Sequence, residues 1–216
     1  RDLNANLRIN GSYGTATNLP NHWSNNAAIV AKVISLKPER SKNIEFGLSG
    51  NYEWGNSEFK VYKSKLTDAF VWCFCSPGYY SNGGTLSIEG VEISFGTELL
   101  GWNLNTNLDF VKAIDVSTKK EQGRRPKRSI SLNLSKTSGK WSRNINWTAK
   151  SRAWDNDSEE NKLGGYGLLN LSTGYNFTED LSVYLNRNNA LDKNYEMAQG
   201  YNTPGKTTTL GLTYNF

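Results

Sequence analysis

The sequence predicts an all-β protein, a transmembrane antiparallel β-barrel, from three observations. Apolar and polar residues alternate over most of the 216 residues, which is typical of strands with one face in lipid and the other in water. Short and long links alternate between these strands. No stretch approaches the run of about 18 apolar residues that a membrane-spanning helix needs. The low mean hydropathy of -0.63 fits a barrel, whose apolar signal lies in the alternation.

Alternation bounded by turn residues predicts about ten strands. They cover residues 3–13, 41–53, 57–69, 84–97, 102–113, 129–137, 141–152, 166–177, 181–189 and 207–216. The tight links are residues 53–56, 98–101, 138–140 and 178–180, and the long links are 14–40, 70–83, 114–128, 153–165 and 190–206. Because outer-membrane barrels have short periplasmic turns and long external loops, the tight links are expected on the periplasmic side.

The predicted strands differ in how clearly the sequence assigns their two faces. Strand 57–69 distributes Lys60, Lys63 and Lys65 over both faces, so its orientation stays open. In strand 84–97 the apolar residues change face near Gly90, which predicts a β-bulge or a slip there. Strand 166–177 is clearer. Its expected lipid face consists of Gly167, Leu169, Leu171, Thr173, Tyr175 and Phe177.

The last strand carries Leu210, Leu212, Tyr214 and Phe216 on one face and small or polar residues on the other. A final strand that ends on a terminal Phe resembles the C-terminal signal of bacterial outer-membrane barrels. The resemblance implies location in the bacterial outer membrane, contact with membrane lipid and recognition by the barrel-assembly machinery. The aromatic end is then expected in the interfacial girdle. No signal peptide is seen at the N-terminus, so we expect the chain to be an excised part of a longer protein.

Charged residues suggest two binding sites, each with a simpler alternative. The net charge is +5, but it is scattered and no nucleic-acid motif is present, so no nucleic-acid partner is expected. The basic link 119–128 is either a solvated loop or a partner for lipopolysaccharide phosphates, which suit arginine. Asp155, Asp157 and Glu159 alternate in a loop, as the oxygen ligands of calcium require. Without the glycine and distal glutamate of an EF-hand, a solvated acidic loop is the alternative.

Histidine and cysteine give little support to an enzyme. His22 is the only histidine, so a catalytic serine–histidine or aspartate–histidine arrangement would need it. His22 lies in the longest link, where it is expected to be either an exposed loop residue or a ligand contact. Cys73 and Cys75 are one residue apart, a spacing near or beyond the disulfide limit in an extended chain, so free thiols are expected. The aromatic residues around them belong either to a ligand site or to the upper membrane girdle. These are Phe70, Trp72, Phe74, Tyr79 and Tyr80.

Four blocks, taken in order, resemble the TonB-dependent outer-membrane transporters. They are residues 36–48 (LKPERSKNIEFGL), 88–92 (IEGVE), 189–196 (NALDKNYE) and 200–206 (GYNTPGK). The resemblance implies a barrel of about 22 strands, filled by an N-terminal plug domain that contacts TonB. Residues 1–216 are then expected to be the C-terminal part of the barrel domain, without the plug. Closure of this segment into a small barrel of its own is the alternative.

Within this family, the compact links and the ending at 192–205 most resemble the cobalamin transporters, and ferric-siderophore receptors are the alternative. The resemblance implies a nutrient receptor and not an enzyme. Cobalamin or a ferric siderophore binds external loops, TonB moves the plug, and no cofactor is needed beyond the calcium considered above. Ligand contacts are expected from loop residues, most of them aromatic. These are His22, Trp23, Trp72, Phe74, Tyr79, Tyr80, Tyr195 and Tyr201.

Overall fold

The computed structural model describes residues 1–25, 36–73, 76 and 78–216, which form an almost entirely antiparallel β structure. Ten long strands make one sheet: β1 Leu7–Asn18, β2 Glu39–Tyr52, β3 Gly55–Thr67, β6 Leu86–Leu99, β7 Trp102–Asp115, β8 Arg128–Ser138, β9 Trp141–Lys150, β12 Tyr166–Asn176, β13 Leu181–Asn188 and β14 Thr207–Tyr214. Two small hairpins lie within long links: β4 Phe70–Cys73 with β5 Tyr79–Asn82, and β10 Ala153–Trp154 with β11 Lys162–Leu163. Residues 22–25 form one helical turn.

All ten predicted strands are confirmed, and each pairs with its neighbours along the chain. The largest difference in bounds is at β1, which runs over Leu7–Asn18 and not 3–13. Its ladder with β2 extends from Leu7 opposite Gly50 to Asn18 opposite Glu39, so pairing with β2 sets its length. The two small hairpins were not predicted, because strands of two to four residues carry too little alternation to detect.

The strand register gives the sheet one apolar and one polar face. On the apolar face, a cross-strand row joins Phe46, Val61, Val91 and Phe110. Phe46 and Phe110 are 46% and 44% exposed, so this face requires an apolar environment outside the chain. The polar face carries a row of asparagines across four strands: Asn105, Asn133, Asn146 and Asn170. This is the arrangement of a barrel wall between lipid and a polar interior.

The register also assigns the two strands that were unclear in the sequence. On β3, Lys60 lies on the polar face, whereas Lys63 and Lys65 lie on the apolar face. The predicted bulge at Gly90 is wrong, because β6 pairs without interruption with both β3 and β7. Gly90 instead leaves room for a neighbouring side chain. A Cβ at Gly90 would lie 2.6 Å from the Tyr62 hydroxyl, so the tyrosine ring needs this space on the polar face.

Few side chains are buried in this structure. Within the described residues, the buried hydrophobic residues are Leu36, Ala69, Ala113 and Leu163. A soluble β-sandwich would instead bury the inner faces of two packed sheets. None of the described helical segments is long and apolar enough to cross a membrane.

The sheet is open, with β1 and β14 as its two edge strands. In the described part of the chain no ladder joins these strands, so the alternative of a small closed barrel is wrong. Each edge presents unpaired backbone groups, which cost several kcal/mol apiece in lipid. The sheet is therefore a partial barrel.

Aromatic residues collect on the apolar face at the end where the tight turns lie. The pairs in ring contact are Tyr52–Trp54, Trp54–Phe95, Trp141–Tyr175, Tyr175–Phe177 and Tyr214–Phe216. Lys136 and Arg143 place cations 5.8 and 5.7 Å from the rings of Trp102 and Trp141. Such a belt matches the interfacial girdle of membrane barrels. The predicted lipid face of strand 166–177, with its aromatic end, is confirmed by the register with β9.

Candidate functional site

Five long links lie at one end of the sheet, and the tight turns lie at the other. In chain order, the long links are residues 19–38, 68–85, 116–127, 151–165 and 189–206, here called the first to fifth long links. One of the tight turns is residues 100–101. Both of its residues have positive φ, 54° for Leu100 and 73° for Gly101, as a two-residue type I′ hairpin turn requires. The predicted alternation of short and long links is confirmed.

Three of the predicted ligand-contacting residues meet in the first two long links. Trp72 on β4 lies opposite Tyr80 on β5, with ring centroids 4.9 Å apart. Trp23, on the helical turn, stacks on Trp72 at 6.2 Å and meets the Tyr80 ring edge-on at 6.2 Å. We call Trp23, Trp72 and Tyr80 the aromatic cluster. Trp23 is 66% exposed, so the cluster presents open ring surface.

Two polar side chains, which sequence reasoning did not single out, hold the hairpin beneath the aromatic cluster. The Glu39 carboxylate accepts hydrogen bonds from the Phe70 N–H at 2.6 Å and from Asn18 Nδ2 at 2.7 Å. The Asn82 side chain accepts from the Lys37 N–H at 2.7 Å and donates to the Lys37 carbonyl at 2.8 Å. Lys37 and Glu39 belong to block 36–48. That block therefore anchors the β4–β5 hairpin to the sheet.

The other residues predicted in these two links do not join the aromatic cluster. His22 begins the helical turn, and Tyr79 lies opposite Cys73 at the end of the β4–β5 ladder. Phe74 and Cys75 lie outside the described residues. Cys73 is disulfide-bonded, so the expectation of a free thiol is wrong.

The fifth long link folds around one buried side chain. Asn189 is 5% exposed, and its Nδ2 donates to the carbonyls of Lys193 at 2.9 Å and Pro204 at 3.4 Å. Its Oδ1 accepts from the Lys193 N–H at 2.8 Å. The Asp192 carboxylate accepts from the Lys206 N–H at 2.9 Å and lies 3.2 Å from Lys206 Nζ, which together lower the Asp192 pKa. Blocks 189–196 and 200–206 are thus joined to each other as parts of one folded loop.

Tyr195 and Tyr201 occupy different environments in this link. Tyr195 packs on Tyr166 of β12, with ring centroids 4.5 Å apart, and its carbonyl accepts a hydrogen bond from the Thr203 hydroxyl. Tyr201 is 72% exposed. Tyr195 therefore helps to hold the link on the sheet, whereas Tyr201 is open to a ligand.

The predicted calcium ligands contact neighbouring links. Asp155 accepts hydrogen bonds from Arg124 Nε and from the Gln199 N–H, both at 3.0 Å. Asp157 and Glu159 accept from backbone N–H groups of the third long link at 2.6 and 2.7 Å. In the part of the chain that the structure describes, no group of three or more acidic, His or Cys side chains is arranged to hold a metal ion. The three carboxylates thus accept hydrogen bonds from neighbouring links, and calcium binding stays a prediction.

These contacts make Asp155 the common contact of the third, fourth and fifth long links. Its side chain is only 12% exposed, and the Arg124 hydrogen bond, followed by that from Gln199, lowers its pKa. A carboxyl group whose pKa falls on folding adds stability above its unfolded pKa of about 3.9 and loses it as pH drops through the lower folded value. The link contacts should therefore persist at neutral pH and weaken in acid.

We expect hydrogen exchange at residues 119–124 and 153–161 to accelerate as the pH falls below about 4, after correction for the intrinsic exchange rate. In Asp155→Asn the exchange should already be fast at neutral pH and should change little in acid. Exchange that is equally slow in both proteins at neutral pH would contradict the assigned role of Asp155.

The predicted assembly signal lies on the apolar face of the edge strand β14. Leu210, Leu212 and Tyr214 are 73%, 65% and 52% exposed, and Phe216 follows the strand with its ring against Tyr214. The predicted face is confirmed by the register with β13, where Leu210 lies opposite Leu185 and Leu212 opposite Val183. Recognition by assembly machinery stays a prediction.

Comparison with known proteins identifies the family. Residues 2–190 match the family model described as "TonB dependent receptor-like, beta-barrel". The vitamin B12 transporter BtuB of Photobacterium profundum is 25% identical over 225 residues, which cover 100% of this chain and 36% of that protein. The siderophore receptor PirA from Acinetobacter baumannii has a TM-score of 0.83 at 18% identity, over 100% of this chain and 40% of PirA. The copper transporter OprC has a TM-score of 0.81 at 20% identity, over 100% of this chain and 38% of OprC.

The chain thus spans 36% to 40% of the length of these relatives. The two structural similarities show the fold alone. The family model covers most of the chain, and the open ten-stranded sheet agrees with a portion of such a barrel. The chain therefore belongs to the TonB-dependent receptor family and forms part of its β-barrel.

Proposed function

We propose that this chain forms wall and external loops of an outer-membrane uptake receptor for a scarce nutrient, with cobalamin as the favoured ligand. The family consists of transport receptors, and the one relative named above for cobalamin transport aligns with the whole chain. The observation that carries the proposal is the exposed aromatic cluster among the long links. A ferric siderophore is the alternative ligand.

The aromatic cluster suits a large ligand with flat apolar surface. Stacked and edge-on rings at 4.9 to 6.2 Å form a rigid patch, and aromatic side chains bind with little loss of conformational entropy. Both a corrin ring and an aromatic siderophore present such a surface. Tyr201, exposed in the fifth long link, is a second contact in this proposal.

The polar face is suited to a plug with basic groups. Lys60 lies 3.9 Å from Glu45 and 3.5 Å from Glu92, and Glu58 lies on the same face. Two carboxylates lie within 4 Å of one ammonium group and a third lies on the same face, which leaves negative charge directed into the barrel. In the proposed mechanism a plug domain binds this patch and closes the lumen. TonB then pulls on the plug, and the ligand passes without any bond chemistry.

The proposal is tested by calorimetry on the natural full-length protein in detergent, with cyanocobalamin and a panel of ferric siderophores as probes. Tight binding of cyanocobalamin alone would support the favoured ligand. Binding of one siderophore alone would replace cobalamin and leave the receptor proposal in place. Failure of every probe to bind would contradict the proposed ligand classes.

Trp72→Ala is expected to weaken binding of the identified nutrient by at least about tenfold, because a buried aromatic contact is worth about 2 kcal/mol or more. Trp54→Ala is the matched control. It removes a tryptophan that is 56% exposed at the opposite, tight-turn end, and it should leave binding unchanged. Equal affinity of Trp72→Ala and the wild type would exclude the aromatic cluster as the ligand contact.

A catalytic barrel is the remaining alternative class. His22 is the one histidine of the chain, and it lies on the helical turn beside Trp23. If this region were a catalytic site, His22→Ala should abolish a hydrolytic activity measurable in the wild type. We expect no hydrolysis of phospholipid or peptide probes by either protein.

A further inference from the structure

A cleft of ≈ 540 Å³ opens between the third long link, the start of β8 and the fourth long link with its β10–β11 hairpin. Its lining contains four cationic side chains, Lys127, Arg128, Arg152 and Lys162, but only one carboxylate, Glu121. The cleft therefore has a surplus of three positive charges. Its volume lies in the range of small-molecule binding sites, about 300–1,000 Å³.

Few of these cations are neutralised by the protein. Lys127 is ion-paired with Glu121, and Lys162 Nζ lies 4.7 Å from the centre of the Trp154 ring. Arg128 and Arg152 have no carboxylate within ion-pair distance among the described residues. Two unpaired guanidinium groups at one cleft favour an anion with several oxygen acceptors, such as a phosphate.

The position of Arg128 on the apolar face of β8 favours a phosphate that belongs to a lipid. Arg128 and Lys136 lie at the two ends of the apolar face of β8, and the residues between them on that face are Ile130, Leu132 and Leu134. The eight residue-to-residue steps from Arg128 to Lys136 span about 27 Å along a strand, or about 21 Å along the membrane normal at a tilt of about 40°. This length matches the outward apolar band of membrane barrels, about 25 Å tall.

Lys136 marks the end of this band at the aromatic girdle, since it lies over the Trp102 ring. Arg128 marks the opposite end, where the long links begin. The cleft thus lies at the level of the outer-leaflet headgroups if the long links face outward. A lipid phosphate is held at this boundary by its acyl chains.

We propose that the cleft binds a phosphate group of the outer-leaflet glycolipid, lipopolysaccharide, through Arg128 and Arg152. The proposal rests on the proposed location in the outer membrane, but not on the identity of the nutrient. Lys162, held on the Trp154 ring, supplies a third positive charge at the mouth. Trp154 provides an apolar surface for the sugar or the acyl chain next to the phosphate.

The test uses the natural full-length protein in phospholipid nanodiscs, with bisphosphorylated lipid A as the probe and native mass spectrometry as the measure of binding. The variant is Arg128→Ala/Arg152→Ala. The matched control is Arg125→Ala/Lys193→Ala, which removes the same charge from exposed positions at the same end that do not line the cleft. We expect the first variant to bind lipid A at least about tenfold more weakly and the control to stay within about twofold of the wild type. Dephosphorylated lipid A should bind the wild type as weakly as lipid A binds the first variant.

Three results would overturn the proposal. Equal lipid A binding by the first variant and the wild type would exclude the two arginines. An equal loss in the control would point to diffuse charge attraction. Inorganic phosphate that competes at concentrations comparable with lipid A would indicate a soluble anion as the natural ligand.

Nutrient calorimetry on the same samples separates this proposal from the proposed function. The aromatic cluster has no residue in the cleft, so the double variant should keep its nutrient affinity. If the wild type binds the nutrient normally but the two arginines make no difference to lipid A binding, only the proposed lipid site is contradicted. If the wild type binds none of the nutrient probes, the proposed function is contradicted. Lipid A binding can still be measured on the same samples, so the lipid site is tested independently.

Discussion

Ile93→Arg is expected to prevent stable insertion of the barrel. Ile93 lies on the apolar face of β6, between Phe59 of β3 and Leu108 of β7. It is halfway along the apolar face of its strand, with Glu89 four residues to one side and Thr97 four residues to the other. An arginine at the membrane midplane of a barrel costs about 2–4 kcal/mol. The amount of folded protein in outer-membrane fractions, read as heat-modifiable migration on gels, should fall several-fold.

Ser94→Arg is the matched control for this substitution. Ser94 is the next residue of β6 and lies on the polar face, where its hydroxyl donates to Asn107 Oδ1 at 2.8 Å. This variant loses one hydrogen bond, worth about 1 kcal/mol, but its charge stays out of lipid. We expect much smaller losses of folded protein than for Ile93→Arg. A larger loss for Ser94→Arg would mean that the two faces have been assigned the wrong way round.

Asn189→Ala is expected to unfold the fifth long link. The substitution leaves the carbonyls of Lys193 and Pro204 and the N–H of Lys193 without their partner. Loss of a buried hydrogen-bonding group of this kind costs roughly 2–4 kcal/mol. Asn189 also has a φ of 47°, which asparagine tolerates better than alanine. Limited proteolysis should therefore cleave within residues 190–206 at least tenfold faster than in the wild type.

Two further variants separate the causes of this effect. Asn189→Gly removes the same hydrogen bonds but accepts the positive φ, so it should be cleaved nearly as fast as Asn189→Ala if the hydrogen bonds dominate. Asn188→Ala removes a single long contact of 3.5 Å with Thr207 and should resemble the wild type. Wild-type resistance to proteolysis in Asn189→Ala would contradict the role of this residue in the link.

The ten strands were predictable because each buries or exposes its faces with a period of two, and tight turns mark their ends. The uninterrupted pairing at Gly90 was not predictable, because a glycine in a strand indicates either a bulge or the close approach of a neighbouring group. Only the neighbouring strand brings Tyr62 over Gly90 and decides between the two. The faces of β3 depend likewise on register, because Lys63 lies opposite Ile44 on β2 and Glu89 on β6, both on the apolar face.

The candidate site was predictable in part. Aromatic residues in long links pointed to Trp23, Trp72 and Tyr80, which do meet. The side chains that hold the β4–β5 hairpin were not predictable from the sequence. Glu39 and Asn82 form their hydrogen bonds with residues 31 and 45 positions away. The carboxylates at 155–159 resemble a metal site in sequence, but the third and fifth links supply hydrogen-bond donors to them. Contacts between distant loops are set by the sheet that carries the loops.

We propose that the partial barrel crosses the outer membrane with its long links outside. Single cysteines at Ser158, in the fourth long link, and at Glu179, in a tight turn, test it most directly with a membrane-impermeant maleimide on intact cells. The wild type serves as the background, since its Cys73 is disulfide-bonded. We predict rapid labelling of Ser158→Cys in intact cells and labelling of Glu179→Cys only after the outer membrane is permeabilised. Labelling of Glu179→Cys but not Ser158→Cys in intact cells, or of neither after permeabilisation, would contradict this orientation.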